Sequence, residues 1–89
     1  MKRLFQTGQF ARDVKIVRKR GKDLAKLKAV VEKLYKNEPL EPRHRNHPLA
    51  GEWRPAWDCH IEPDWLLIYT NTPEFLRLER TGTHSDLFE

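Results

Sequence analysis

Four histidines are spread through 89 residues, and three of them fall where a loop or strand end would present a reactive group. His44 and His47 lie in a basic stretch with Arg43 and Arg45. His60 stands four residues before Asp64, across a turn, and His84 closes the run Thr81-Gly82-Thr83-His84. Imidazoles titrate near neutral pH, so one ring can take a proton while another gives one. On RNA, a base of this kind would activate a ribose 2′-hydroxyl and an acid would protonate the leaving 5′-oxygen. Arg80 or a loop arginine could then stabilise the charge that builds on the pentavalent phosphate.

Other chemistries fit less well. His44-x-x-His47 with His60 and Asp64 offers nitrogen and oxygen ligands, but the spacing matches no common metal motif and the surrounding positive charge opposes a divalent cation. No Gly-rich phosphate loop is present. The only serine, Ser85, lacks a nucleophile context, and Cys59 sits beside His60 in mid-strand, where neither activates the other. No metal and no cofactor are therefore expected. A non-catalytic nucleic-acid-binding module, with histidines that only contact phosphate, is the main alternative. Of the tryptophans, Trp53 and Trp57 suit packing. Trp65, next to Asp64, and the near-terminal Phe88 could instead stack on an unpaired base.

Charge supports a polyanionic partner. Residues 1–50 carry 14 Lys/Arg against 5 Asp/Glu, and residues 51–89 carry 3 against 8, so a net of +9 faces a net of −5. Such a split can steer a basic face onto nucleic acid and leave a second surface for something else. One domain spanning residues 1–89 is expected, burying roughly 60–65% of its unfolded surface. The single cysteine excludes an internal disulfide and favours a reducing compartment. Leu4 and Phe5 are too short an apolar run for a signal peptide, and no stretch approaches the roughly 18 apolar residues of a membrane helix. The expectation is a cytoplasmic protein without membrane association.

The elements that must position these residues can be read from periodicity. Residues 4–7 form a short strand candidate ended by Gly8. Phe10, Val14 and Val17 recur at helical spacing over residues 9–20, with Gly21 as the stop. Asp23 caps a second helix with the stripe Leu24, Leu27, Val31 and Leu34, ending near Asn37 before Pro39. Pro39, Pro42, Pro48 and Gly51 then leave residues 38–51 as a long irregular basic loop. Three strands follow, at residues 53–61, 65–70 and 75–81, joined by turns at 62–64 and 71–74. The order is β-α-α-β-β-β. It predicts an α+β domain with two N-terminal helices on one face of a small, twisted antiparallel sheet.

Three segments carry a likeness to a known family. They are His47-Pro48-Leu49-Ala50-Gly51; the run from Asp58 through His60-Ile61-Glu62-Pro63-Asp64-Trp65 to Tyr69; and Arg77-Leu78-Glu79-Arg80-Thr81-Gly82-Thr83-His84 through Phe88. With Gly8-Gln9-Phe10 and Asp13-Val14-Lys15, the chain resembles RelE-type toxins of type II toxin–antitoxin systems, in their YafQ-like branch, over nearly its whole length. The resemblance implies a RelE-like fold and an endoribonuclease that cleaves mRNA on the ribosome. It also implies neutralisation by a small cognate antitoxin, with the pair binding operator DNA. It carries catalytic roles onto His47, His60, Asp64 and His84, phosphate stabilisation onto Arg80, and substrate positioning onto Trp65 and Phe88. His84 is implied as general acid; the base stays open among His47, His60 and Asp64. Arg43 and Arg45 would meet RNA or the ribosome, and His44 matches no family motif.

Overall fold

The computed structural model describes residues 2–88. Strand β1 (Arg3–Gln6) leads into helix α1 (Gly8–Lys19), where Thr7 caps the start by accepting from the Phe10 amide at 2.9 Å. Asp23 does the same for helix α2 (Leu24–Tyr35), accepting from Ala25 at 3.0 Å. Both helices stop alike. Gly21 (φ 85°) and Asn37 (φ 58°) take the left-handed conformation, and the next amides, of Lys22 and Glu38, reach back to the Val17 and Lys33 carbonyls. The expected cap, stop and stripe residues thus do these jobs, although Phe10, Val17, Leu27, Val30 and Leu34 are the helix apolar residues most deeply buried.

The remaining elements are β2 (His47–Pro48), β3 (Trp57–Glu62), β4 (Trp65–Asn71), β5 (Phe75–Gly82) and α3 (His84–Phe88). They build a five-stranded sheet in the order β1-β5-β4-β3-β2. The α+β class is as expected, but the sheet is mixed, because β1 pairs with β5 in parallel. Short turns dictate antiparallel pairing only between consecutive strands. β1 and β5 are separated by the rest of the chain, so turn length says nothing about how they pair.

Residues 38–56 are less irregular than their prolines suggested. A 3₁₀ turn at Pro42–His44, the two-residue β2 and a second 3₁₀ turn at Gly51–Trp53 lay this segment along the sheet. β3 accordingly begins at Trp57 and not at Trp53.

The central strand explains the layering. Every residue from Trp65 to Thr70 is buried, as a strand covered on both faces must be. Trp65, Leu67 and Tyr69 face α1 and α2 with Phe10, Val17 and Leu34. Leu66 and Ile68 face a smaller cluster formed with Ala56 and Leu87, flanked by Leu49, Trp53 and Phe88. This second face, covered by the segment after β2 and by α3, was not anticipated. Among the described residues no helix is long and apolar enough to cross a membrane.

Candidate active site

Side chains two apart on a strand share a face. On β3 this puts Asp58 and His60 on the side away from Cys59 and Ile61, which join the core under the helices. Asp58 is only 3% exposed. His47 is opposite it across the β2–β3 pair, with Nε2 3.1 Å from Asp58 Oδ1. The approach is off-line for a hydrogen bond, so this buried oxygen is left without an aligned donor.

His47 Nδ1 lies 2.7 Å from the Arg45 carbonyl, which can only accept, so Nδ1 carries a hydrogen. On the neutral ring, Nε2 would then turn a lone pair toward the carboxylate. Nε2 of His47 thus stands at ion-pair distance from the buried carboxylate, with no aligned hydrogen bond between them. Burial pushes the Asp58 carboxyl up from its ordinary value, while the nearby His47, His60 and His84 pull it part of the way back. Asp58 thus lies within electrostatic reach of three of the histidines, His47 being the one beside it.

His60 is oriented from two sides. Its Nδ1 lies 3.1 Å from the Pro63 carbonyl, which leaves Nε2 as the free acceptor of a neutral ring. Its backbone carbonyl receives His44 Nδ1 at 2.6 Å. His44 is buried and acts as a strut under His60, in keeping with its omission from the reactive set.

His84 is exposed at the start of the five-residue α3. Its backbone amide donates to Asp64 Oδ1 at 3.1 Å. Asp64 thus ties the β3–β4 turn to α3 and leaves its second oxygen free of partners among the described residues. Thr83 and Asp86 cap the helix reciprocally, at 2.9 and 3.1 Å. Arg20, the residue that caps the end of α1, grips Asp86 at 2.6 Å, and that ion pair leads the causes holding its carboxyl well below the usual range. At the end of α3, the Phe88 ring lies 5.0 Å from His84 and 5.9 Å from Trp53.

Two expected site residues are engaged by the fold itself. Trp65 is 1% exposed, and its indole donates to Thr81 Oγ1 at 2.9 Å. It cannot stack on a base, because its strand is covered on both faces. Arg80 turns onto the helix layer and holds Asp13 through Nε at 2.9 Å and Nη2 at 3.1 Å. Burial pushes the Asp13 carboxyl up, but hydrogen bonds from Arg80, Gln9 and Thr81 outweigh this and leave it lowered. Only Nη1 of Arg80 is left without a partner among the described residues. Arg43 and Arg45 are exposed, Arg45 in the left-handed conformation at φ 45°.

Asp58 and Trp53 are the members that residue type alone did not single out. Carboxylates at even spacing from His60, Asp58 and Glu62, were a signal that narrowed the first to two positions on β3. Nothing in the spacing pointed to Trp53, whose place depends on the 3₁₀ turn that carries it.

A family model described as the bacterial toxin of type II toxin–antitoxin systems, YafQ, matches residues 2–89. This chain belongs to that family. The mRNA interferase toxin YafQ of Escherichia coli K12 is 49% identical over 83 residues, covering 92% of this chain and 90% of that one. Among solved structures, the toxin of the E. coli DinJ–YafQ complex superposes with a TM-score of 0.94 at 46% identity, covering both chains fully. A metal-bound toxin from Helicobacter pylori superposes with a TM-score of 0.91 at 39% identity, over 99% of this chain and all of that one. The expected family is therefore the right one, and the fold is the one these relatives share.

Proposed function

We propose that this chain is a ribosome-dependent endoribonuclease that cuts translated mRNA by general acid–base transesterification, without a metal. The observation that carries the reading is the buried Asp58 with His47 3.1 Å away across the sheet and His60 on the same face of its own strand. The relative named an mRNA interferase toxin supplies the substrate class.

In this mechanism a base, His60 Nε2 or the His47–Asp58 pair, removes the 2′-hydroxyl proton of the ribose. The 2′-oxygen attacks the adjacent phosphorus through a pentavalent state, and the bond to the 5′-oxygen breaks. His84, as the acid, supplies the proton to that oxygen. The products are a 2′,3′-cyclic phosphate and a 5′-hydroxyl. Asp64 positions His84 through its backbone amide, and Phe88 offers a face to a base beside the scissile bond. Arg43 and Arg45 contact RNA, and Nη1 of Arg80 is the part of that guanidinium left for phosphate.

The ribosome supplies what so small a site lacks: a message held in line for attack, worth on the order of several kcal/mol of barrier. A cognate antitoxin, as in the DinJ–YafQ complex, neutralises the enzyme, and the pair binds operator DNA in the cytoplasm.

A metal-dependent reading is favoured by one observation, the metal-bound H. pylori relative. Toxin stripped with EDTA and then dialysed free of it, assayed on translating ribosomes kept in magnesium, separates the two. Unchanged rates with a cyclic phosphate product support the metal-free route; loss after stripping, restored by a transition-metal cation, overturns it. Equal rates on naked and ribosome-bound message would overturn ribosome dependence.

A further inference from the structure

On the same side of the sheet as Asp58, a cavity of about 170 Å³ opens beside Trp53. Its walls include Glu52, Arg54, Thr70, Arg77 and Glu79. None of these is among the residues singled out by type and spacing, and the mechanism above uses none of them. Their charges balance, two carboxylates against two guanidiniums. A phosphate grip would carry net positive charge, so a balanced cavity with an aromatic wall suits a nucleobase better.

The polar groups are held in place with bonding capacity to spare. Glu79 Oε2 accepts from Thr70 Oγ1 at 2.7 Å and from Arg77 Nε at 2.7 Å. That leaves Glu79 Oε1 as an acceptor, and both terminal nitrogens of Arg77 as donors, without partners among the described residues. The Arg77 guanidinium is further fixed over the Phe75 ring, 5.1 Å from its centroid. A preset acceptor beside preset donors can read a base edge, as such pairs do in nucleic-acid recognition generally.

The cavity also connects to the reactive groups. Trp53 lines it and packs on Phe88, which packs on His84. Thr70 is two residues along β4 from Ile68, the partner of Asp58 in the β3–β4 pair, a step of about 7 Å.

Resting on the nuclease reading above, we propose that this cavity is a base-reading subsite for the nucleotide beside the scissile bond. It selects a base with an exocyclic amino group. Glu79 Oε1 accepts from that amino group, Arg77 donates to a ring nitrogen or carbonyl, and Trp53 packs against the ring.

The test is cleavage on translating ribosomes of a message pool carrying all four bases on each side of the cut, with the ends read by sequencing. Wild type should favour amino-bearing bases over uracil at one flanking position. Glu79→Gln keeps an acceptor oxygen for Thr70 and should compress that preference about ten-fold at that position alone. Arg77→Met leaves the Thr70–Glu79 bond in place and should shift the same position, which decides the matter should Glu79→Gln fail to give a cooperative melt. Unchanged base profiles in a folded Glu79→Gln and in Arg77→Met, or an equal rate loss on every message, would overturn the subsite while leaving the nuclease standing. A wild-type chain that cuts no message would overturn both.

Discussion

His47 and Asp58 face each other across the β2–β3 pair, 3.1 Å apart, and substitution at Asp58 tests what that buried carboxyl contributes. Asp58 binds its proton more tightly folded than unfolded. Its contribution to stability is therefore fully present below the unfolded value, ordinarily 3.8, and is lost as pH rises through the higher folded value. Asp58→Asn removes that loss. The variant should melt at or above wild type at pH 7, with the advantage shrinking as pH falls toward 4, while cleavage is reduced. Thermal melts at the two pH values, run beside a cleavage assay, check this. A variant less stable at pH 7 than at pH 4, relative to wild type, would mean the carboxylate contributes net stability. His84 should behave differently. It is exposed and its ring lies against that of Phe88, so His84→Ala should leave the melt nearly unchanged. The single-turnover rate should fall about 10²–10⁴-fold, the usual share of general acid–base catalysis, with ribosome affinity kept. A folded His84→Ala protein cutting near the wild-type rate would remove His84 from the mechanism.

At the level of elements, the five-residue α3 carries two of the proposed site residues. α3 holds His84 and Phe88 on five residues, anchored by Leu87, by the Thr83–Asp86 cap and by Arg20. Gly82 precedes it, and a Cβ there would lie 2.9 Å from Asp86 Oδ2 and 3.1 Å from Asp86 Cβ. Gly82→Ala should therefore push Asp86 off its cap. The expected cost is about 1 kcal/mol, a cap's usual worth, or roughly 4–8 °C in Tm for a domain this small. Cleavage should fall at least several-fold more than the melt accounts for, because His84 moves with the helix. A melt and a rate that decline in proportion would mean that α3 is only structural.

The same elements show what a sequence yields. The cap Asp23 bonds to a neighbouring amide, and the stops Gly21 and Asn37 depend on their own φ angles, so α1 and α2 were legible from local spacing. Thr7, by contrast, read as the end of the first strand, caps α1 while also donating to the distant Glu79 carbonyl. The unbroken apolar run of β4 was legible as a strand, but its second covered face depends on where residues 49–56 and α3 come to rest. For the same reason Trp65 looked available to a base until its neighbours on both sides were placed. The candidate histidines could be picked out by residue type; that His47 lies opposite Asp58 depends on the β2–β3 register.

For the whole molecule, the asymmetry of charge bears on association and not on chemistry. Lys15, Arg18, Lys19 and Lys28 are exposed on the helices or at their ends, and no carboxylate among the described residues pairs with them. Replacing any one by alanine should weaken ribosome binding and lower the slope of log affinity against log salt by about one for each phosphate that the side chain meets. The single-turnover rate at saturation should hold. A salt titration of binding, with cleavage measured at saturating ribosomes, distinguishes the two effects. A lysine variant that changed the saturated rate alone would place that residue in the chemistry.

Cys59 sits on β3 under the helices at 0% exposure, its thiol pushed up to about 12 by burial and by the charge of the adjacent Asp58. At neutral pH almost none of it is thiolate, and no reagent reaches it while the sheet is closed. Alkylation of this lone thiol is thus a clock for global opening. Its rate under native conditions should match the unfolding equilibrium, and it should slow when a bound partner holds the fold shut. For a toxin the corollary is physiological: peroxide or disulfide stress has no thiol to grip on the folded molecule, so oxidising conditions leave the free protein armed.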